Sequence, residues 1–213
     1  MAITRIVSVR PFESNLFLVC GKSCVLIDTG SGEDSAGVIR EIGRVLDGRP
    51  LDAVILTHCH ADHAGGLEDI VAEFSCRAYA GGDADLIRRG DAVMLGEEVI
   101  GRRLPPMEVD ELRDGEIIDL GEHRLRVIDT PGHTSGSISL YDEVTKSLFS
   151  GDTLFQMGVG RTDFPTGSYE ELAGSLIKLS NIEIKSLYPG HGNISEHGDR
   201  MVRYGLDMMG VRR

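Results

Sequence analysis

The sequence predicts an α/β chain folded as two β-sheets packed face to face with helices outside, a four-layer αββα sandwich. Two observations carry this. The halves, residues 1–104 and 107–213, each run strands first, then a helix and a strand. The helical stretches are apolar on one side only, as expected of helices that cover the outer face of a sheet. With 213 residues, 41% of them hydrophobic, the chain suits a single domain over residues 1–213 with a sizeable core.

The elements follow in order. Residues 3–9 and 15–20 alternate or cluster apolar side chains as strands do, and Pro11 breaks the run between them. Residues 24–28 form a third strand, ending in the permissive turn Thr29-Gly30-Ser31-Gly32. In residues 33–47, Val38, Ile39, Ile42, Val45 and Leu46 fall on one helical face, and Gly48 and Pro50 stop the helix. Residues 51–56 read as a buried strand, and Gly65-Gly66 turn the chain into a helix through about Phe74. A short strand at 77–80 and a short helix at 83–89 follow. Residues 90–110, with Gly96, Gly101 and Pro105-Pro106, predict a loop or lid. Residues 117–120 and 124–129 form one strand pair, and 137–141 and 147–150 another. Residues 168–179 form an amphipathic helix, 185–188 the last strand and 196–209 the last helix.

The 22 basic and 34 acidic residues give a net charge of −12. That balance argues against nucleic acid or an anionic membrane as partner, because the pairs Arg88-Arg89, Arg102-Arg103 and Arg212-Arg213 are too short to form a basic surface. No apolar run is long enough to span a bilayer, and residues 1–12 lack the apolar core of a signal peptide. The expected address is the cytoplasm. Four cysteines in a chain this long do not make a disulfide framework. Cys20 and Cys24 flank a hairpin turn and are expected as reduced cross-strand neighbours.

The chemistry concentrates in residues 57–66, Thr-His-Cys-His-Ala-Asp-His-Ala-Gly-Gly. His58, His60, Asp62 and His63 crowd the loop that leaves a buried strand, and such a group is costly to bury without positive charge among them. Imidazole with carboxylate suits Zn, Fe or Mn. The His-x-His-x-Asp-His run resembles the signature of the metallo-β-lactamase-fold superfamily, whose fold is this αββα sandwich. Its later ligand positions match His133 in Thr130-Pro131-Gly132-His133, Asp152 in Ser150-Gly151-Asp152-Thr153 and His191 in Tyr188-Pro189-Gly190-His191.

The resemblance implies two divalent transition metal ions, zinc first, then iron or manganese. His58, His60 and His133 would hold one ion, and Asp62, His63 and His191 the other, with Asp152 bridging. Asp62 is also the catalytic group that orients a metal-bound hydroxide. Asp28 corresponds to an aspartate that holds the histidine loop without binding metal. Cys59, between two ligand histidines, falls at a variable position with no metal role.

The substrate reading combines chemistry and resemblance. A thiol, with a pKa of about 8.5, leaves as thiolate without a strong acid, whereas an amine usually needs one, and this favours thioesters over amides. The segments Gly151-Asp152-Thr153-Leu154-Phe155, Gly160-Arg161-Thr162-Asp163-Phe164 and Tyr188-Pro189-Gly190-His191-Gly192 resemble short glyoxalase II-like hydrolases. Those cleave S-2-hydroxyacyl thioesters such as S-lactoylglutathione. Their glutathione-holding lysine and tyrosine align with Arg161 and Asp163, and about twenty residues follow His191 where full-length glyoxalase II has a helical region. Arg161 is the candidate grip for a substrate carboxylate. The same motifs also resemble mononuclear-iron persulfide dioxygenases, with iron at positions matching His58, His133 and Asp152, and lactone hydrolysis uses the same metals.

Overall fold

The computed structural model describes residues 2–8 and 13–211. Pro11, the end of the residue 3–9 run and the Arg212-Arg213 pair lie outside them. The first sheet takes, in chain order, β1 (Ala2–Ile6), β2 (Leu16–Cys20), β3 (Cys24–Ile27), β4 (Ala53–Leu56), β5 (Arg77–Ala80) and β6 (Asp110–Glu111), and the spatial order is the same. β1 to β3 are antiparallel, and β3 to β6 are parallel. The second sheet runs β13 (Ser186–Pro189), β10 (Ser147–Gly151), β9 (Ile138–Asp142), β8 (Arg124–Asp129), β7 (Ile117–Asp119). Only its β10–β13 pair is parallel. A small hairpin, β11 (Leu154–Phe155) with β12 (Gly158–Val159), stands apart.

Strand periodicity sorts the core into layers. Successive side chains of a strand point to opposite faces. Phe17, Val19, Val25, Ile27 and Ile55 of the first sheet therefore meet Leu125, Val127, Ile138, Leu140 and Phe149 of the second. Their neighbours Leu16, Leu18, Leu26, Val54 and Leu56 face the other way, against Val38, Ile42 and Leu46 of α1 (Ser35–Leu46) and Leu67 and Ile70 of α3 (Leu67–Phe74). On the far side, Tyr141, Leu148 and Leu187 pack on Leu172, Leu176 and Leu179 of α6 (Tyr169–Leu179) and on Met201, Val202 and Leu206 of α7 (Gly198–Met208). Three apolar interfaces separate helix, sheet, sheet and helix, which is the four-layer αββα sandwich.

Three expectations change. The helix drawn from Gly66 is preceded by a separate turn, α2 (Ala61–Ala64), which carries Asp62 and His63. Gly65 and Gly66 sit between the two helices because the chain there presses on a neighbouring backbone. A Cβ on Gly65 would overlap Ser31 O, and one on Gly66 would lie 2.5 Å from Thr29 O. Residues 90–110 are packed rather than an open lid: α4 (Ala84–Arg89) leads to a 3₁₀ turn at Ala92–Met94 and to α5 (Gly96–Ile100), and Met94, Leu104 and Val109 are buried in the first core. Finally, Cys20 and Cys24 are joined in a disulfide, because they face each other in register across the β2–β3 hairpin. Cys59 and Cys76 are free. Among the described residues no helix is long and apolar enough to cross a membrane.

Candidate metal centre

The candidate side chains come from loops at one edge of both sheets. β4 delivers Thr57, His58 and His60, and α2 follows with Asp62 and His63. His133 lies on the turn between β8 and β9, Asp152 just after β10, and His191 just after β13. Residues far apart in the chain thus converge on the cleft between the sheets.

They meet in overlapping sets. His58, His60 and His133 offer donor atoms within 4.8 Å of one another, as do His58, His63 and Asp152, and Asp62, His63 and His191. His60 Nδ1 and His133 Nε2 are 2.9 Å apart. On the other side His191 Nε2 lies 3.1 Å from Asp62 Oδ2 and 3.3 Å from His63 Nε2. Asp152 sits between the two groups: Oδ1 is 3.3 Å from His63 Nε2, and Oδ2 is 3.7 Å from His133 Nε2 and 3.6 Å from His191 Nε2. His58, His60, His63 and His133 are buried and Asp152 nearly so, but the His191 and Asp62 side chains are 32% and 26% exposed. The centre therefore opens to solvent on their side.

Hydrogen bonds set which ring nitrogen faces inward. Thr57 Oγ1 donates to Asp28 Oδ2 at 2.9 Å, so its oxygen accepts from His58 Nδ1–H at 3.1 Å. That leaves His58 Nε2 as a lone pair, buried and without a partner. His133 Nδ1–H donates to the Arg161 carbonyl at 2.7 Å, which directs its Nε2 lone pair inward as well. His63 Nδ1–H donates to Asp28 Oδ2 at 2.8 Å, and the His63 carbonyl accepts from Thr29 N and Oγ1, each at 2.7 Å. Such outer contacts fix tautomer and ring orientation at metal sites.

The electrostatics divide the same way. Burial, reinforced by the neighbouring imidazoles, pushes His58 well below the ordinary histidine range. Burial and His133 take His60 down to about 4. Both rings thus keep a free lone pair at neutral pH. For His63 burial also works downward, but Asp152, Asp28 and Asp62 outweigh it and raise the pKa. His191 is raised against burial by the hydrogen bond it donates to Asp62 and by the charge of Asp152. Burial would raise Asp62 and Asp152, yet the surrounding histidines hold both below the usual carboxylate range. The neutral lone pairs of His58 and His60 beside the ionised Asp62 and Asp152 are donors that suit a divalent metal ion. Asp152 Oδ1, buried and without a hydrogen bond although His63 Nε2 is 3.3 Å away, fits the same reading.

Arg161 is placed differently from a free grip. Its guanidinium forks onto Asp163 at 2.9 and 2.7 Å and lies 4.2 Å over the Phe164 ring, while its backbone carbonyl holds His133. Phe164 in turn packs edge-on to His60 at 5.5 Å, and Phe155 lies 6.2 Å from His191. These two rings border the centre and were not anticipated; an aromatic in a loop carries no local signal of that position. Asp83 was read only as the start of a short helix, yet it is fully buried under the centre.

Comparison with known proteins bears on this geometry. The Metallo-beta-lactamase superfamily model matches residues 9–191. The chain belongs to this superfamily. Among its superfamily relatives it is 38% identical over 196 residues to the probable metallo-hydrolase MJ0888 of Methanocaldococcus jannaschii, covering 89% of this chain and 91% of that one. It is 32% identical to the hydroxyacylglutathione hydrolase GloC of Haemophilus influenzae, covering 91% and 92%. The solved structure of TTHA1623 in a di-iron-bound form superposes with a TM-score of 0.78 at 30% identity, covering 93% and 97%. Membership of the superfamily and the histidine–aspartate cluster together make this a metal-dependent enzyme.

Proposed function

We propose that the chain is a dinuclear metal-dependent hydrolase of thioesters, with S-2-hydroxyacyl thioesters of the S-lactoylglutathione type as its substrate class. His58, His60 and His133 would hold one ion and Asp62, His63 and His191 the second, with Asp152 placed to serve both. The observation that carries this is Asp152, whose two carboxylate oxygens face different histidines, Oδ1 towards His63 and Oδ2 towards His133 and His191. Zinc is the proposed metal, and iron is the next, given the di-iron relative. Such a pair of ions, when bound, supplies a hydroxide at neutral pH and polarises a carbonyl.

The chain's own residues define the rest. Asp62, kept ionised and partly exposed, presents an acceptor oxygen at the mouth, where it orients the attacking water. A thiol leaving group needs no strong acid. Phe164 beside His60 and Phe155 beside His191 give the site apolar walls. The Arg161–Asp163 pair is solvent-exposed, and exposed pairs contribute little, so a substrate carboxylate can replace Asp163 on the guanidinium. The net charge of −12 fits a small-molecule substrate rather than nucleic acid or membrane.

The test is a panel of thioesters, lactones and persulfides offered to the metal-loaded protein, with thiol release and oxygen uptake both recorded. Thiol release without oxygen uptake, fastest on 2-hydroxyacyl thioesters, is the expected result. Oxygen uptake on a persulfide with thioesters untouched would replace the hydrolase reading by that of a persulfide dioxygenase.

A further inference from the structure

We propose that Asp83 is a positioning residue for the metal centre: its carboxylate ties the loop carrying His58 and His60 to the turn carrying His133, and so sets the spacing of those three imidazoles. The inference rests on the metal-centre reading above. The two segments belong to different sheets, and the histidine set spans the gap between them, with His60 Nδ1 and His133 Nε2 2.9 Å apart. Something must hold that gap constant.

Asp83 sits across it. It follows β5 in the first sheet and is fully buried. Its Oδ2 accepts from the backbone N–H of Cys59, between the two loop histidines, at 3.0 Å. The same oxygen accepts from Thr134 Oγ1, next to His133, at 2.7 Å. Thr134 is itself fixed, its N–H donating to Ser137 Oγ at 3.1 Å. The approach is backbone to backbone: a Cβ on Gly136 would overlap the Asp83 N–H, and one on Gly82 would come within 3.1 Å of Gly136 Cα. The Asp83 carboxylate is thus the group that connects the two segments.

Both bonds go to one oxygen. Asn keeps an acceptor oxygen there, and Ala keeps none. The test titrates metal-free protein with Co(II) and reads affinity and visible spectrum for wild type, Asp83→Ala, Asp83→Asn and Ile87→Ala. Ile87, buried in the first core on the same short helix, reports what destabilisation alone does. Asp83→Ala should bind Co(II) about ten- to a hundredfold more weakly, the usual effect of losing an outer-shell partner, with altered absorption bands. Asp83→Asn should restore affinity and spectrum to within a few-fold, and Ile87→Ala should lower only the melting temperature. If Asp83→Ala does not fold, Thr134→Val removes one of the two bonds and should weaken Co(II) binding several-fold. Wild-type affinity and spectrum in the Ala or Val variant would overturn the proposal, as would an equal loss in Ile87→Ala. Wild-type protein that takes up no Co(II) would instead remove the metal-centre reading on which it rests.

Discussion

His63 Nδ1 lies 2.8 Å from Asp28 Oδ2, with both side chains sealed from solvent. The contact turns the other ring nitrogen towards Asp152 and His191. Asp28 also accepts from Thr57 N at 2.8 Å and from Thr57 Oγ1, so one carboxylate at the end of β3 organises both His58 and His63. It does so from a left-handed backbone, φ 60°, a conformation Asn and Asp tolerate best. Asp28→Ala should therefore lower metal affinity by roughly ten- to a hundredfold, measured by chelator competition. Asp28→Asn, which suits the backbone and keeps one acceptor, should lose less.

Asp152 faces histidines from both groups. Asp152→Ala should reduce bound metal and cut hydrolysis by orders of magnitude. His197→Ala should change neither, since His197 is exposed at the start of α7, away from the cleft. Metal content and turnover of the two variants, compared with wild type, check this. Wild-type values in Asp152→Ala would remove the bridge assignment.

Arg161 decides how the substrate is read. If a carboxylate displaces Asp163, Arg161→Ala should raise KM about ten- to a hundredfold for carboxylate-bearing thioesters and barely affect neutral ones. Asp163→Ala should lower KM for the charged substrate by freeing the guanidinium. Equal changes on both substrates would mean that Arg161 serves the centre only through its carbonyl on His133.

Much of this centre was legible because its ligand-type residues stand in short, ordered motifs. His58, His60, Asp62 and His63 share one loop, and the Pro-Gly-His turns at 131–133 and 189–191 repeat at strand ends. Most strands of both sheets were legible from alternating or clustered apolar residues, since the central ones have one face in the inter-sheet core and one under helices; β6, with both residues exposed, was not. Asp83 was not, because a buried carboxylate spelled Gly-Gly-Asp before a helix looks the same as an exposed N-terminal cap. The packing of residues 90–110 was also hidden: Met94, Leu104 and Val109 anchor it singly, with no period to detect. The Cys20–Cys24 bond depends on strand register, which fixes the cross-strand distance, and composition argued the other way.

A second buried pair lies away from the centre. His123 Nδ1 is 2.6 Å from Asp142 Oδ2, both sealed from solvent. Burial would raise the Asp142 carboxyl, but bonds from Thr145, His123 and the backbone N–H groups of Val144 and Arg124 outweigh it and hold the pKa down. A carboxylate with a lowered folded pKa contributes stability that is full above its unfolded value of about 3.9 and is lost as pH falls through the folded value. Asp142→Asn should thus lower the melting temperature by several degrees at neutral pH, and the gap to wild type should close as the solution is acidified through that window. A gap independent of pH would show that packing, not ionisation, gives the pair its stability.

The central claim is a two-metal centre that hydrolyses, and metal quantification on carefully purified protein, paired with thiol release from S-lactoylglutathione, tests it most directly. The expected result is close to two transition-metal equivalents per chain, with thiol release that falls as metal is stripped and returns on reconstitution. A firm single equivalent of iron, with no thiol released and with His63 and His191 turned away from the ion, would contradict it.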